Sequence, residues 1–405
     1  MAVFPVVADR MFIVYYFLYC TLIVPFVFRF IPGEDILVVE AGALRAYGST
    51  LHMGSDGIPL TPHEYSELLT RLTSGRNVAV DYYSVGGIVA EFEGQAARML
   101  GKEDAAILPS GTMANVLALE ALAGRGGRVI VPYESHIYRD SGDAAQCLAG
   151  LNLMAVPGGF PSGEDIRVVV KRSKEEGEKV EVPIKALLLE TPVRRLHESA
   201  YAPDRFEDAI GAARSANLRL HLDGARLLMW SVWCGKSPAE LCSAFETVYV
   251  SLYKSFNTLF GAVLAGPGEI VDGVRRWRRR NGGGLPQIWP VALVARYFMD
   301  GYLERLTAAR QVADVIFSGL DSLPGVSVHR PPNATNAALL TWDGATLERA
   351  RAMKRTLEER GIHQPEYSEP DSGFWIKVNE TWNNVPPDAV VSSFREALFP
   401  LTRLA

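Results

Sequence analysis

Leu218-Arg219-Leu220-His221-Leu222-Asp223 runs directly into Gly224-Ala225-Arg226. The apolar run ends in an acid and then turns at a glycine, so it reads as a buried strand that delivers a carboxylate to the start of a helix. One unit further on, Thr247-Val248-Tyr249-Val250-Ser251-Leu252 is another apolar strand, and Lys254 stands just past its end. Working outward, apolar strands at 105–108, 128–131, 151–156, 186–189 and 260–266 alternate with helices such as Glu91–Leu100, Met113–Leu122 and Asp204–Ser215. This alternation predicts an α/β fold with a mostly parallel sheet covered on both faces. Ligands of such sheets bind at the carboxyl ends of the strands.

The pattern changes beyond the sheet. A long helix is expected from about Ala292 to Ser318, followed by strands at 326–328, 337–341 and 374–378 between two helices. These form a smaller α+β C-terminal domain. Thr61-Pro62-His63-Glu64 has the N-cap, first-turn proline and capping glutamate of a helix start, and the stretch 49–75 is expected to complete the small domain. The division is therefore 1–48 as a hydrophobic extension, 49–75 as the first part of the small domain, 76–298 as the large domain and 299–405 as the rest of the small one.

At 405 residues, with 48% hydrophobic and 21% charged residues, the chain can bury a large core and is not a disordered protein. A net charge of −5 offers no nucleic-acid surface. The one basic run, Arg275-Arg276-Trp277-Arg278-Arg279-Arg280, reads as a solvated helix end, where cations suit the dipole. Cys20, Cys147, Cys234 and Cys242 have no metal-ligand or disulfide-framework spacing, so reduced thiols of a cytoplasmic protein and no metal site are expected. Residues 11–28 form an uncharged, aromatic-rich stretch between Arg10 and Arg29. A membrane anchor, a signal peptide and an upstream extension all remain open there, although Arg29-Phe30-Ile31-Pro32 does not resemble a cleavage site.

Three polar features stand at strand ends. Ser110-Gly111-Thr112 opens an apolar helix and offers backbone N–H groups to an anion, although the same residues make an ordinary cap. Asp223, at the end of a buried strand, needs a partner. Lys254 supplies an isolated amine. A phosphate cradle, a carboxylate for a pyridinium nitrogen and an amine for a Schiff base are what pyridoxal phosphate requires. His136 follows the strand at 128–131 and could stack on the coenzyme ring, and Arg226 could meet a substrate carboxylate with its two-pronged guanidinium.

The segments Leu-Pro-Ser-Gly-Thr-Met-Ala-Asn (108–115), Ser-His-Ile-Tyr-Arg-Asp (135–140) and His-Leu-Asp-Gly-Ala-Arg (221–226), with Lys254 and Gly261, resemble the threonine aldolase / β-eliminating lyase family. The resemblance spans about residues 50–400. It implies the aspartate aminotransferase fold and pyridoxal phosphate as cofactor, with Lys254 as the Schiff-base lysine, Asp223 on the pyridinium and His136 on the ring. Ser110, Gly111 and Thr112 would hold the phosphate, and Arg226 the substrate carboxylate. Ser55-Asp56 is similar to a family pair that reaches the active site. Arg280-Asn281-Gly282-Gly283-Gly284 is similar to a loop that approaches the neighbouring subunit's site, which implies a homodimer or homotetramer.

The chain departs from the family in its substrate-facing positions. Glu190-Thr191-Pro192-Val193-Arg194 stands where members carry Glu-Asn-Thr-His, and Leu285-Pro286-Gln287 stands for Met-Arg-Gln. Tyr253 precedes the lysine in place of serine, and Trp375 and Lys377 occupy the strand where many members place an arginine. Arg194 is the candidate to replace a lost arginine in substrate binding. The expected activity is cleavage of a β-hydroxy-α-amino acid such as L-threonine or L-allo-threonine to glycine and an aldehyde. An amino-acid racemase or a β-eliminating lyase is the alternative.

Overall fold

The computed structural model describes residues 50–175, 177 and 182–399. The run 11–28, and with it the expected anchor, lies outside them. Among the described residues no helix is long and apolar enough to cross a membrane.

The strands are β1 (Leu51–His52), β2 (Asp104–Leu108), β3 (Arg128–Pro132), β4 (Asn152–Val156), β5 (Ile184–Glu190) and β6 (Arg219–Asp223). They continue with β7 (Thr247–Ser251), β8 (Ala262–Gly266), β9 (Val326–His329), β10 (Ala337–Trp342), β11 (Ile362–His363) and β12 (Gly373–Lys377). A seven-stranded sheet has the order β2-β8-β7-β6-β5-β3-β4. Its pairs from β7 through β4 are parallel, while β8 runs antiparallel to both β2 and β7. The apolar run of β8 reads like the others because burial on both faces erases alternation whatever the strand's direction.

Helix Gly111–Ala123 crosses the middle of this sheet and touches strands β5 to β8. It buries residues all round, including Asn115 and Glu120, because the sheet lies on one side and helices Ala144–Ala149 and Gly268–Arg280 on the other. Its N-terminus therefore opens at the strand ends that carry Asp223 and Lys254.

The antiparallel sheet β12-β10-β9 and helices Tyr302–Asp321, Leu347–Glu358 and Pro387–Leu398 enclose a second core around Trp382, Phe374 and Phe394. Leu51 and Met53 belong to this core, and β1 pairs in parallel with β11.

Two expectations are corrected. The single helix from 292 to 318 is two helices, Trp289–Met299 and Tyr302–Asp321. Gly301, at φ +64°, takes the left-handed conformation that turns the chain between them. The basic run is not simply a solvated end. Arg278 is 2% exposed and donates to the carbonyls of Ile107 and Ser84, while Arg275 pairs with Asp104 and Glu93.

Candidate active site

Asp223 ends β6 almost fully buried, and its placement depends on the residues behind it. Its Oδ2 accepts from Asn115 Nδ2 at 2.6 Å and its Oδ1 from the Ala225 N–H at 3.2 Å. Asn115 Oδ1 faces His221 Nε2 at 2.9 Å, and His221 Nδ1 lies 2.8 Å from Thr247 Oγ1. The carboxylate fixes the amide, because only the NH2 side can face an anion. The amide oxygen then needs a donor, so His221 carries its proton on Nε2 and accepts from Thr247 at Nδ1. Burial pushes the His221 imidazole down to about 4, which keeps it neutral.

Lys254 lies in the short helix Leu252–Ser255 that follows β7. Among the described residues its Nζ makes no hydrogen bond or ion pair, and it sits 5.4 Å from the centre of the Tyr253 ring. Burial and the positive charge of Arg226 push the amine down to about 8, against the opposing pull of Asp223, Asp56 and Glu198. A lysine in that state has a sizeable neutral fraction near physiological pH, as a nucleophilic amine requires.

Ser110 caps the helix by accepting the Met113 N–H at 3.2 Å, and Thr112 follows Gly111 in the first turn. Gly111 has a steric reason: a Cβ there would run into the hydroxyl end of Tyr249. The backbone is thus pressed onto the floor of the site, leaving a small-residue turn at a helix N-terminus that suits a phosphate. Gly283 packs on the Met113 side chain, so the glycine-rich loop borders the cradle of its own chain.

His136 is held by its backbone, whose N–H donates to Glu190 Oε2 at 2.5 Å. The other oxygen of Glu190 accepts from the Arg194 N–H at 3.2 Å. Burial and the neighbouring Asp223 push the Glu190 carboxyl up to about 8.

Arg226 spends two nitrogens on one oxygen of Asp56, Nε at 3.0 Å and Nη2 at 2.7 Å. Its Nη2 also lies 3.4 Å from Glu198 Oε1. Lys377 bridges the same two acids, 3.1 Å from Asp56 Oδ1 and 2.7 Å from Glu198 Oε1. Burial alone would raise the Asp56 carboxyl, but Arg226 and Lys377 overcome it and hold that carboxyl far below the usual range. Arg226 Nη1 has no hydrogen-bond partner among the described residues, which leaves it available to an anion.

The structure brings Asp223, Lys254, Arg226 and Asp56 into one another's fields. It sets His136 at the neighbouring strand end, against Glu190. Ser55 Oγ turns to its own loop, donating to the Gly57 carbonyl at 2.7 Å. Arg194 is not brought into the buried group: its side chain is about half exposed and faces Asp140 at 3.5 Å. Val193, where the family histidine would stand, is buried. The next histidine, His197, stacks on Trp375 with centroids 3.6 Å apart. Residue patterns alone did not reveal the roles of Glu190, Glu198 and Asn115. The only available signal was that each is a polar residue within an apolar stretch or beside a strand end.

These residues fit pyridoxal phosphate. Among the described residues the amine has no hydrogen-bond partner, the carboxylate is anchored from behind, and the turn is pressed flat where a side chain could not fit.

The profile of the family described as "Beta-eliminating lyase" matches residues 74–342. Low-specificity L-threonine aldolase 1 of Arabidopsis thaliana is 25% identical over 272 residues, covering 67% of this chain and 76% of its own. Alanine racemase TOXG of Cochliobolus carbonum is 28% identical over 211 residues, 51% of this chain and 53% of its own. A crystal structure from Exiguobacterium sp. 255-15, assigned in its description to aromatic amino acid β-eliminating lyase/threonine aldolase, superposes with a TM-score of 0.73. It is 26% identical and covers 87% of this chain and 99% of its own.

Proposed function

This chain belongs to the β-eliminating lyase family, and as a pyridoxal-phosphate-dependent lyase we propose that it cleaves a β-hydroxy-α-amino acid, of the L-threonine or L-allo-threonine kind, to glycine and an aldehyde. The observation that carries the reading is the convergence of Lys254, Asp223 and Arg226, beside a substrate side built from Asp56, Glu198 and Lys377. The relatives named as aldolases support it.

Pyridoxal phosphate, when bound, supplies an electron sink for the pair released at the substrate's α-carbon. In this reading Lys254 holds the coenzyme and moves a proton at Nζ, which its lowered pKa permits near neutral pH. Asp223 binds the pyridine N–H, and Asn115 stops the carboxylate from rotating away. The Ser110–Thr112 turn binds the phosphate, and His136 packs on the ring. Arg226, pinned by Asp56, orients a carboxylate through Nη1. The protein works as a homodimer or homotetramer, a proposal supported by the exposed Tyr82, Tyr83, Val85, Leu259 and Phe260.

The test is incubation of the coenzyme-loaded protein with L-threonine and L-allo-threonine. Glycine and acetaldehyde in equal amounts are the expected result, and no aldehyde from either would overturn the reading. The match to an alanine racemase, together with the absence of a histidine at Val193, favours one second reading. D-alanine formed from L-alanine, without aldehyde release from hydroxy amino acids, would establish it.

A further inference from the structure

Glu198 is a second, unexplained carboxylate at this site. It follows His197, and both residues adopt left-handed backbone, with φ of +57° and +51°. The strained corner is held by two hydrogen bonds and two β-bridges. The Glu198 N–H donates to the Val193 carbonyl at 3.1 Å, Thr335 Oγ1 donates to the Glu198 carbonyl at 2.6 Å, and Ser199 bridges to Val193 and Ala334. The side chain is 4% exposed, and both cations that meet it, Lys377 and Arg226, approach Oε1. Oε2 is buried and has no hydrogen-bond partner among the described residues. A buried, charged acceptor without a donor is costly, so a site built this way is completed by a donor from elsewhere. Glu198 Oε1 lies 3.4 Å from Nη2 of Arg226, the residue that orients the substrate carboxylate in the lyase reading, and the Lys254 amine lies within the field of Glu198.

We propose that Glu198 Oε2 receives the β-hydroxyl of the substrate and is this chain's means of choosing β-hydroxy amino acids. The proposal rests on the lyase reading above and replaces the family histidine that Val193 removes. It also assigns the proton acceptor for cleavage. The hydroxyl proton passes to Oε2, and the O–H pair becomes the second bond of the aldehyde carbonyl. The Cα–Cβ pair then leaves with the glycine fragment, which a proton completes.

The experiment compares L-allo-threonine with L-2-aminobutyrate, its counterpart without the hydroxyl. Binding to the coenzyme-loaded enzyme is followed through the coenzyme's absorption, read before product accumulates. The wild type is expected to bind the hydroxy amino acid roughly tenfold more tightly. Glu198→Gln is expected to abolish that ratio, whatever common shift it imposes on both ligands through Arg226, and to slow aldehyde release by about a hundredfold or more. Equal affinities in the wild type, a ratio retained in Glu198→Gln, or equal weakening of both ligands would each overturn the proposal. Where Glu198→Gln does not fold, Glu198→Asp, which keeps the charge for Lys377 but withdraws the oxygen, should show the same selective loss. Absence of aldehyde from the wild type would overturn the lyase reading instead, and the binding ratio remains readable in that event.

Discussion

Glu190 and Asp223 are register partners at the carboxyl ends of the adjacent parallel strands β5 and β6. Burial and the charge of Asp223 raise the Glu190 carboxyl to about 8, so in the folded protein Glu190 keeps its proton through neutral pH. The unfolded chain loses that proton near 4.5.

Between those two values the native state binds more protons than the unfolded state, so this group's stabilising contribution falls as pH rises. The coenzyme-free protein should therefore melt at progressively lower temperature from about pH 5 to about pH 8. Glu190→Gln, which cannot ionise, should flatten that slope. Whatever constant offset the amide introduces at His136 or Arg194, it is the slope that decides. An unchanged slope in thermal melts across this range would rule out Glu190 as its source.

Lys254 gives a second pH signature. Its amine, lowered to about 8 by burial and Arg226, should capture added pyridoxal phosphate at a rate that climbs with pH and levels off above that value. Stopped-flow absorption of the coenzyme-free protein measures it. Lys254→Met should lose the bound chromophore after dialysis and reduce cleavage by about a thousandfold or more.

Asn115 and His221 hold Asp223 from behind. Asn115→Ala leaves both the Asp223 Oδ2 and the His221 Nε2–H without their partners, at a cost of about 1–3 kcal/mol in stability. Coenzyme affinity should fall with it, because the carboxylate is no longer fixed. Equilibrium dialysis of the coenzyme and a denaturant titration separate the two effects.

Gly111→Ala should weaken coenzyme binding and stability together, because the added methyl meets the Tyr249 hydroxyl. Tyr249→Phe removes the colliding oxygen, so the double variant should recover part of the loss. Additive losses in the double variant would show that the contact is not the cause.

The sequence made the large sheet legible because its strands are continuous apolar runs with a chemically distinctive residue at the end of several. Lys254, Asp223 and the Ser110 turn could be placed from that pattern alone, and the fold class followed. The break at Gly301 was missed because the apolar spacing carries through Trp289–Asp321 and only one glycine marks the turn. Asp56 meets Arg226 across 170 residues of chain, and no local period encodes such a contact. Arg194 shows the opposite limit. Its position after a strand end suggested the site, but the chain turns at residues 194–196 and sends the side chain out to Asp140.

The bridge formed by Asp56, Glu198, Arg226 and Lys377 also has a temporal consequence. During synthesis, Asp56 emerges from the ribosome long before Arg226, and Lys377 emerges later still. The large sheet can assemble while both acids beside it still lack one of their cations. The nascent chain therefore acquires its charge-balanced pocket only when β12 is delivered, and a protein truncated before that strand would carry Lys254 in an incomplete site.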